Sequence, residues 1–358
     1  MVSKDSKILI VGAGPTGLTA AVELRRRGYA PRIIDRKDGP SPLSRAIGIS
    51  SHSLDLLEPA GITPHLIERG VPLKDVMIHE NGKVIADMQM KRIPHRFNFL
   101  LSLPQNETEK IMIDALARFG GIVDYGHALT SLSIEGDKAR VQINDRLPEN
   151  FDIVIGADGI RSRVREFTGI AFDGYDYPTR WSIADFVSKS WPGQSDVFLL
   201  PDGKVRFVAR IGEHRFRIVS NEPESIPGVP GLDKVDETLF ADDFVISIRQ
   251  AATYQQGPVF LAGDAAHVHS PAGGRGMNLG IEDAMELAAR IDNGTTDGYT
   301  EMRHAIGKRW IKLSERMLKG MTTRTKMGQQ VRRMALRTFS TFPALQMPLL
   351  RRMAGIVE

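Results

Sequence analysis

The sequence predicts an α/β fold in which a Rossmann-like parallel sheet is accompanied by a mostly antiparallel sheet and a helical end segment. Three turns of one kind predict the parallel sheet. Lys7-Ile-Leu-Ile-Val11 meets Gly12-Ala-Gly14-Pro15-Thr16-Gly17, Phe151-Asp-Ile-Val-Ile155 meets Gly156-Ala157-Asp158-Gly159, and Pro258 to Ala262 meets Gly263-Asp264. Each is an apolar, β-rich run that ends on glycine and is followed by an acid or a helix start. Buried parallel strands read this way, and open α/β sheets bind ligands at the carboxyl ends of such strands.

In the first turn, Gly12 allows the tight bend, Gly14 lets backbone approach a pyrophosphate, and Gly17 lets the following helix pack on the sheet. Leu18, Ala21, Val22 and Leu24 give that helix its apolar face. A second strand, Pro31 to Ile34, ends in Asp35, about 20 residues past the glycines, where a carboxylate accepts from ribose hydroxyls. The set predicts a dinucleotide site. The second turn continues into Arg161, Arg163 and Arg165. Taken singly these read as a solvated helix face, whereas their place at a strand end points to phosphate.

Between these segments, Val71 to Ile78 and Lys83 to Met90 read as a hairpin around Asn81-Gly82, with Phe97 to Leu103 extended. Trp181 to Val187, Asp196 to Leu200, Val205 to Arg210 and Arg215 to Ser220 add strands with one apolar and one wet face, as in Phe207 and Ala209 against Arg206 and Arg210. Residues 222 to 245 are proline-rich, with Pro223, Pro227 and Pro230. In the third turn, Gly273, Gly274 and Gly276 precede the helical run Met277, Ile281, Ala284, Met285, Ala288, Ile291. That helix starts at the glycines and offers its first amides and positive dipole end to an acceptor oxygen or an anionic ring.

These motifs, with Ser44-Arg45-Ala46 and Leu103-Pro-Gln105-x-x-x-Glu109, make the chain resemble a class A flavoprotein aromatic monooxygenase of the p-hydroxybenzoate hydroxylase fold family. The resemblance covers nearly the whole length. It implies a discontinuous FAD-binding Rossmann-like domain (1–70, 100–178 and 255–300), an inserted, mostly antiparallel substrate domain (71–99 and 179–254), and a helical basic segment (301–358). It also implies non-covalent FAD held by Gly12, Gly14, Pro15, Thr16, Gly17, Asp35, Arg36, Arg45, Gln105, Asp158, Gly263, Asp264, Gly274, Gly276, Met277 and Asn278. Pro271 and Arg45 are the residues it places nearest the chemistry. That chemistry is hydroxylation of a phenolic or polycyclic aromatic substrate with NADPH or NADH and O2, through a flavin C4a-hydroperoxide. A reductase of the same fold, or a non-catalytic flavoprotein that binds an aromatic ligand, is the alternative. Arg275 stands where many relatives place glutamine, either as a cation beside the flavin or facing solvent. No general base is assigned; His79, His95, Tyr175 and Tyr177 read as structural.

Composition narrows the field further. At 358 residues and 42% hydrophobic content the chain can bury two connected cores. Without cysteine there is no disulfide or thiolate metal site, and His267 and His269 lack an evident third ligand, so no metal is expected. No apolar run has the length of a membrane span and no signal peptide precedes the first strand, so a cytoplasmic location is expected. From Arg303 onward 13 Lys or Arg face only Glu315 and Glu358, about +11 against about −7 for residues 1–302. Helical spacing of Trp310, Leu313, Met317, Leu318 and Met321 reads as a packed helix with a solvated basic face; an anionic membrane surface or acidic partner is the sharper alternative. No nucleic-acid motif accompanies the charge.

Overall fold

The computed structural model describes residues 3–40, 46–226 and 228–356. Its first layer is a six-stranded sheet in the order Gln255–Gln256, Val259–Leu261, Ile153–Gly156, Ile8–Val11, Arg32–Asp35, Val123–Tyr125. All neighbours are parallel except the short edge strand Gln255–Gln256. Ile8 to Val11 are buried along their whole length, as expected for a central strand covered on both faces.

The helices are α1 (Pro15–Arg26), α2 (Ser51–Leu57), α3 (Thr63–Arg69), α4 (Gln105–Arg118), α5 (Arg163–Thr168), α6 (Gly276–Asp292), α7 (Tyr299–Met321), α8 (Lys326–Thr341) and α9 (Met347–Ala354). α1 packs against α6 and α4, and its Leu18, Ala21, Val22 and Leu24 enter the core with Ile281, Ala284, Leu287 and Ala288 of α6. Close approach fixes two glycines here. A Cβ on Gly17 would lie 1.9 Å from the Gly12 carbonyl oxygen, and Gly12, at φ +103°, abuts the Ala157 carbonyl.

The second layer is an eight-stranded sheet in the order His267–Val268, Glu237–Ala251, Phe172–Val187, Arg215–Ser220, Val205–Gly212, Ser195–Leu199, Asp75–Glu80, Lys83–Gln89. It is antiparallel except where Ser195–Leu199 runs parallel to Asp75–Glu80. The expected hairpin forms at Asn81 and Gly82, both at positive φ. Val71–Leu73 instead joins Leu100–Ser102 and Gly48–Ile49 in a small separate sheet.

Two sequence expectations change. The proline-rich stretch in residues 222–245 gives way to Glu237–Ala251, a long strand paired along Phe172–Val187 that is absent from the strands read in sequence. Asp242, Asp243 and Arg249 interrupt its apolar pattern, which hid it. Phe172–Val187 also runs unbroken through the expected boundary at 178/179 and lies wholly in the eight-stranded sheet.

Candidate active site

Parallel register brings the three turns to one edge. Val11 aligns with Gly156 and Ile34, and Gly156 with Leu261. Backbone bonds then stitch the turns together: Gly12 N donates to Ile34 O (2.8 Å), Ala157 N to Val11 O (2.8 Å) and Ala262 N to Gly156 O (3.0 Å). Asp35 sits at this edge with Oδ2 accepting from Ala13 N (2.8 Å) and Oδ1 from Lys37 N (2.9 Å). Those bonds fix the carboxylate and leave further lone pairs for hydroxyl donors. Arg36 is exposed beside it.

Two helix starts face the edge without compensation. α1 begins at Pro15 with Gly14 as its cap, and α6 begins at Gly276 after Arg275; neither has a side-chain cap or an acid in its first turn. α2, α5 and α8, by contrast, are capped by Ser50, Ser162 and Thr325. A Cβ on Gly14 would meet nothing within 4 Å, so open space lies over the amides of Thr16 and Gly17. A pyrophosphate suits that space, and an electron-rich ring suits the start of α6.

Around this groove, Gln105 Nε2 donates to Glu109 Oε1 (2.8 Å), and Gln105 N donates to Ala46 O (3.0 Å). Burial pushes the Glu109 carboxyl above its ordinary range. Asp158 accepts from Arg163 N (2.7 Å) and Val164 N (3.2 Å) with Oδ2, while Oδ1 is buried without a hydrogen-bond partner among the described residues. It therefore holds the start of α5 and keeps one oxygen for a ligand. Asp264, Pro271 and Gly274 are exposed along the opening, Met277 is half-buried, and Gly263 N donates to Asp283 Oδ2 (2.9 Å). Asn278 is fully buried, with its side chain spent on Ser50 N (2.8 Å), Gly48 O (2.9 Å) and Gly274 O (2.8 Å). It clamps the glycine loop to the small sheet. Arg45 lies outside the described residues.

Several sequence readings are corrected here. Arg275 is not solvent-facing, because it is fully buried, ion-paired to Glu282 at 2.7 Å and placed over the Trp310 ring. Arg165 is not solvated either; its guanidinium donates to Ala265 O and Ile160 O, both at 2.8 Å, and lies over Phe172. His79 and His95 pair with Asp196 (2.7 Å) and Asp55 (2.5 Å), and Tyr175 donates to Glu315 (2.5 Å). Sequence reading missed the buried set centred on Asp283, which binds His267 Nε2 (2.7 Å), Arg303 Nε (2.5 Å) and the Gly263 amide. Its one signal was a pair of acids, Glu282-Asp283, inside the apolar face of a helix.

A family model described as the FAD binding domain matches residues 5–221 and 234–314. The chain belongs to this FAD-binding family, with the p-hydroxybenzoate hydroxylase fold. Pentachlorophenol 4-monooxygenase of Sphingobium chlorophenolicum is 34% identical over 314 residues, covering 81% of this chain and 58% of the relative. The chain spans less than two thirds of the length of the first curated relatives it matches. Among solved structures, p-nitrophenol 4-monooxygenase PnpA of Pseudomonas putida DLL-E4 superposes at TM-score 0.90 with 20% identity, covering 98% of both chains. The Diels-Alderase PyrE3 superposes at TM-score 0.82 with 25% identity, covering 99% of this chain and 81% of the other.

The groove of this family member fits FAD on its own geometry, through the open space at Gly14, the uncapped starts of α1 and α6, the Asp35 carboxylate and the unpartnered Asp158 oxygen. Beyond the α6 start, Ala272 belongs to one apolar cluster with Trp181, Val197, Leu199 and Val205 of the eight-stranded sheet and Leu318 of α7, with Phe207 and Phe244 packed against it. The greasy sheet face is thus continuous with the Pro271 loop.

His269 borders this region. Its Nδ1 donates to Ser270 O (2.8 Å), and its Nε2 is buried without a hydrogen-bond partner among the described residues. Burial, helped by His267 and Arg275, holds its pKa down to about 4. The folded chain therefore refuses a proton that the unfolded chain accepts below about pH 6.5, so this group's contribution is full above that pH and is lost as pH falls towards 4. His269→Gln is expected to remove about 2 kcal/mol of the stability lost between about pH 7 and about pH 5. Urea unfolding at both pH values checks this, and an unchanged difference contradicts it.

Proposed function

We propose that this chain is an NAD(P)H-dependent FAD monooxygenase that places one oxygen atom of O2 on a phenolic or polycyclic aromatic ring and acts in the cytoplasm. The observation that carries the reading is that Ala272, next to Pro271 on the loop leading to α6, belongs to the apolar cluster of the sheet face. Bound FAD would supply acceptance of hydride and activation of oxygen. The chain's own part is to bind, orient and exclude water. Thr16, Gly17 and Asp35 would hold the dinucleotide end, and the Gly276–Asn278 helix start the flavin ring. Trp181, Phe207 and Phe244 would give an aromatic ring a dry surface to lie against.

The polar end of that surface is already neutralised. Arg217, 1% exposed, pairs with Asp185 through two contacts of 2.6 and 2.7 Å and also reaches Ala46 O (3.4 Å). This favours a neutral or phenolic ring over a dianionic substrate. The names of the pentachlorophenol and p-nitrophenol relatives support the same class. The name of PyrE3 shows that the fold also serves a cycloaddition, so oxygenation must be tested rather than read from the fold.

The test is a screen of phenols for stimulated NAD(P)H oxidation, followed by mass analysis of product formed under 18O2. Balanced turnover consumes one NAD(P)H, one proton, one O2 and the arene, and gives NAD(P)+, water and a product carrying one labelled oxygen. NAD(P)H oxidation with no labelled product would make the chain a reductase. No stimulated oxidation with tight ligand binding would make it a binding protein.

A further inference from the structure

Helix α8 lies against the outer strand of the substrate sheet with its polarity reversed. Its inward attachments are polar. Arg332 Nη2 donates to Glu80 Oε1 (2.6 Å), Arg333 Nε pairs with the other Glu80 oxygen, and Ser340 Oγ donates to Asp87 Oδ1 (2.7 Å). Just beyond the helix, Gln346 Nε2 donates to Asp87 O (2.8 Å). Leu336 is its apolar contact with the sheet-side cluster, and no α8 residue is fully buried.

The outward side carries a group of large apolar residues among its charges. Met327, Val331 and Met334 are 74%, 58% and 66% exposed, and Phe342 and Leu345 in the following turn are 60% and 49% exposed. Steps of four and three residues put Met327, Val331 and Met334 on one stripe. A surface helix ordinarily buries such a stripe, and large apolar side chains grouped in this way mark a face that meets something else.

Charge identifies what it meets. Residues 316–357 hold nine Lys or Arg and no acid, and Lys326 and Arg337 flank the stripe. A second copy seated on this face would bring its own Lys326 and Arg337 against these, with no carboxylate in the segment to pair them. An anionic lipid surface satisfies both features, since it takes apolar side chains into the acyl boundary and pairs the flanking cations with headgroups. No helix among the described residues is long and apolar enough to cross a membrane, so the contact is one of a helix lying in the surface plane.

We infer that α8 and the Phe342–Leu345 turn form a docking face for the anionic surface of a phospholipid bilayer. The test is flotation of the FAD-loaded protein with vesicles of phosphatidylcholine alone or mixed with phosphatidylglycerol. It reads membrane binding independently of catalytic activity. Binding to the mixed vesicles is expected to exceed binding to phosphatidylcholine at least tenfold and to fall with added salt. The double change Val331→Glu with Met334→Glu should abolish it while FAD content and thermal midpoint stay unchanged, and Lys326→Gln with Arg337→Gln should remove its salt dependence. Absence of binding to either vesicle overturns the inference. So does a dimer in solution that Val331→Glu with Met334→Glu converts to monomer while vesicle binding is lacking, because a second copy would then cover the face.

Discussion

Replacing Asp283 with Ala is expected to cost about 3–5 kcal/mol of folding stability, the penalty for leaving a buried counter-charge without its partner. Asp283 is fully buried, yet its carboxyl is held down to about 2. Burial alone would push it up, and Arg303, His267 and the Gly263 amide outweigh that push. The group binds α6, α7 and the Gly263 turn at one point, so its loss takes the nearest counter-charge from Arg303, leaving it Glu282 at 3.5 Å, and leaves the Gly263 amide without its acceptor. Asp283→Asn keeps an acceptor for Gly263 N and should cost less than Ala. Because the folded pKa lies below the ordinary carboxylate value, this stability is complete above about pH 4 and is lost as pH falls towards 2. Denaturant unfolding of both variants measures it, and a loss below about 1 kcal/mol for Ala would show that the set contributes little.

Gly14→Val is expected to weaken FAD binding at least about a hundredfold, about 2.7 kcal/mol, while leaving the apoprotein as stable as before. Gly14 has φ −78°, which any residue adopts, and a Cβ there meets no protein atom within 4 Å. A side chain there points into the open space at the α1 start, where a bound pyrophosphate would lie. Gly17→Ala provides the contrast, since its Cβ collides with Gly12 backbone and should damage the fold itself. Equilibrium FAD titration beside thermal unfolding of each apoprotein separates the two outcomes. Unchanged affinity in Gly14→Val would remove the pyrophosphate from that position.

The three glycine turns are legible in sequence because each is local. A strand, a glycine bend and an acid within a few residues declare their geometry without knowledge of the rest of the chain. The Asp283 set was not legible, because Arg303 meets it only after α6 and α7 lie side by side. The position of Arg275 was open for the same reason, as Glu282, Trp310 and the Gly355 end of α9 are brought to it by tertiary packing. The strand Glu237–Ala251 is hidden in sequence by its charged outer positions and the proline-rich stretch ahead of it. The basic end segment reads in sequence as helical from Arg303 onward. The structure resolves it into an inward-facing α7, whose Trp310 and Leu318 are buried, and an α8 with its apolar side turned out.

The central claim is that three separated turns and the glycine-led start of α6 hold one FAD with its ring against the apolar sheet face. A crystal structure of the FAD complex tests it most directly. The account predicts pyrophosphate over the Thr16 and Gly17 amides, the adenosine ribose at Asp35, and the isoalloxazine between Gly276–Asn278 and the Pro271–Ala272 loop. Crystals in which saturating FAD leaves this groove empty, or lodges elsewhere on the chain, would contradict it.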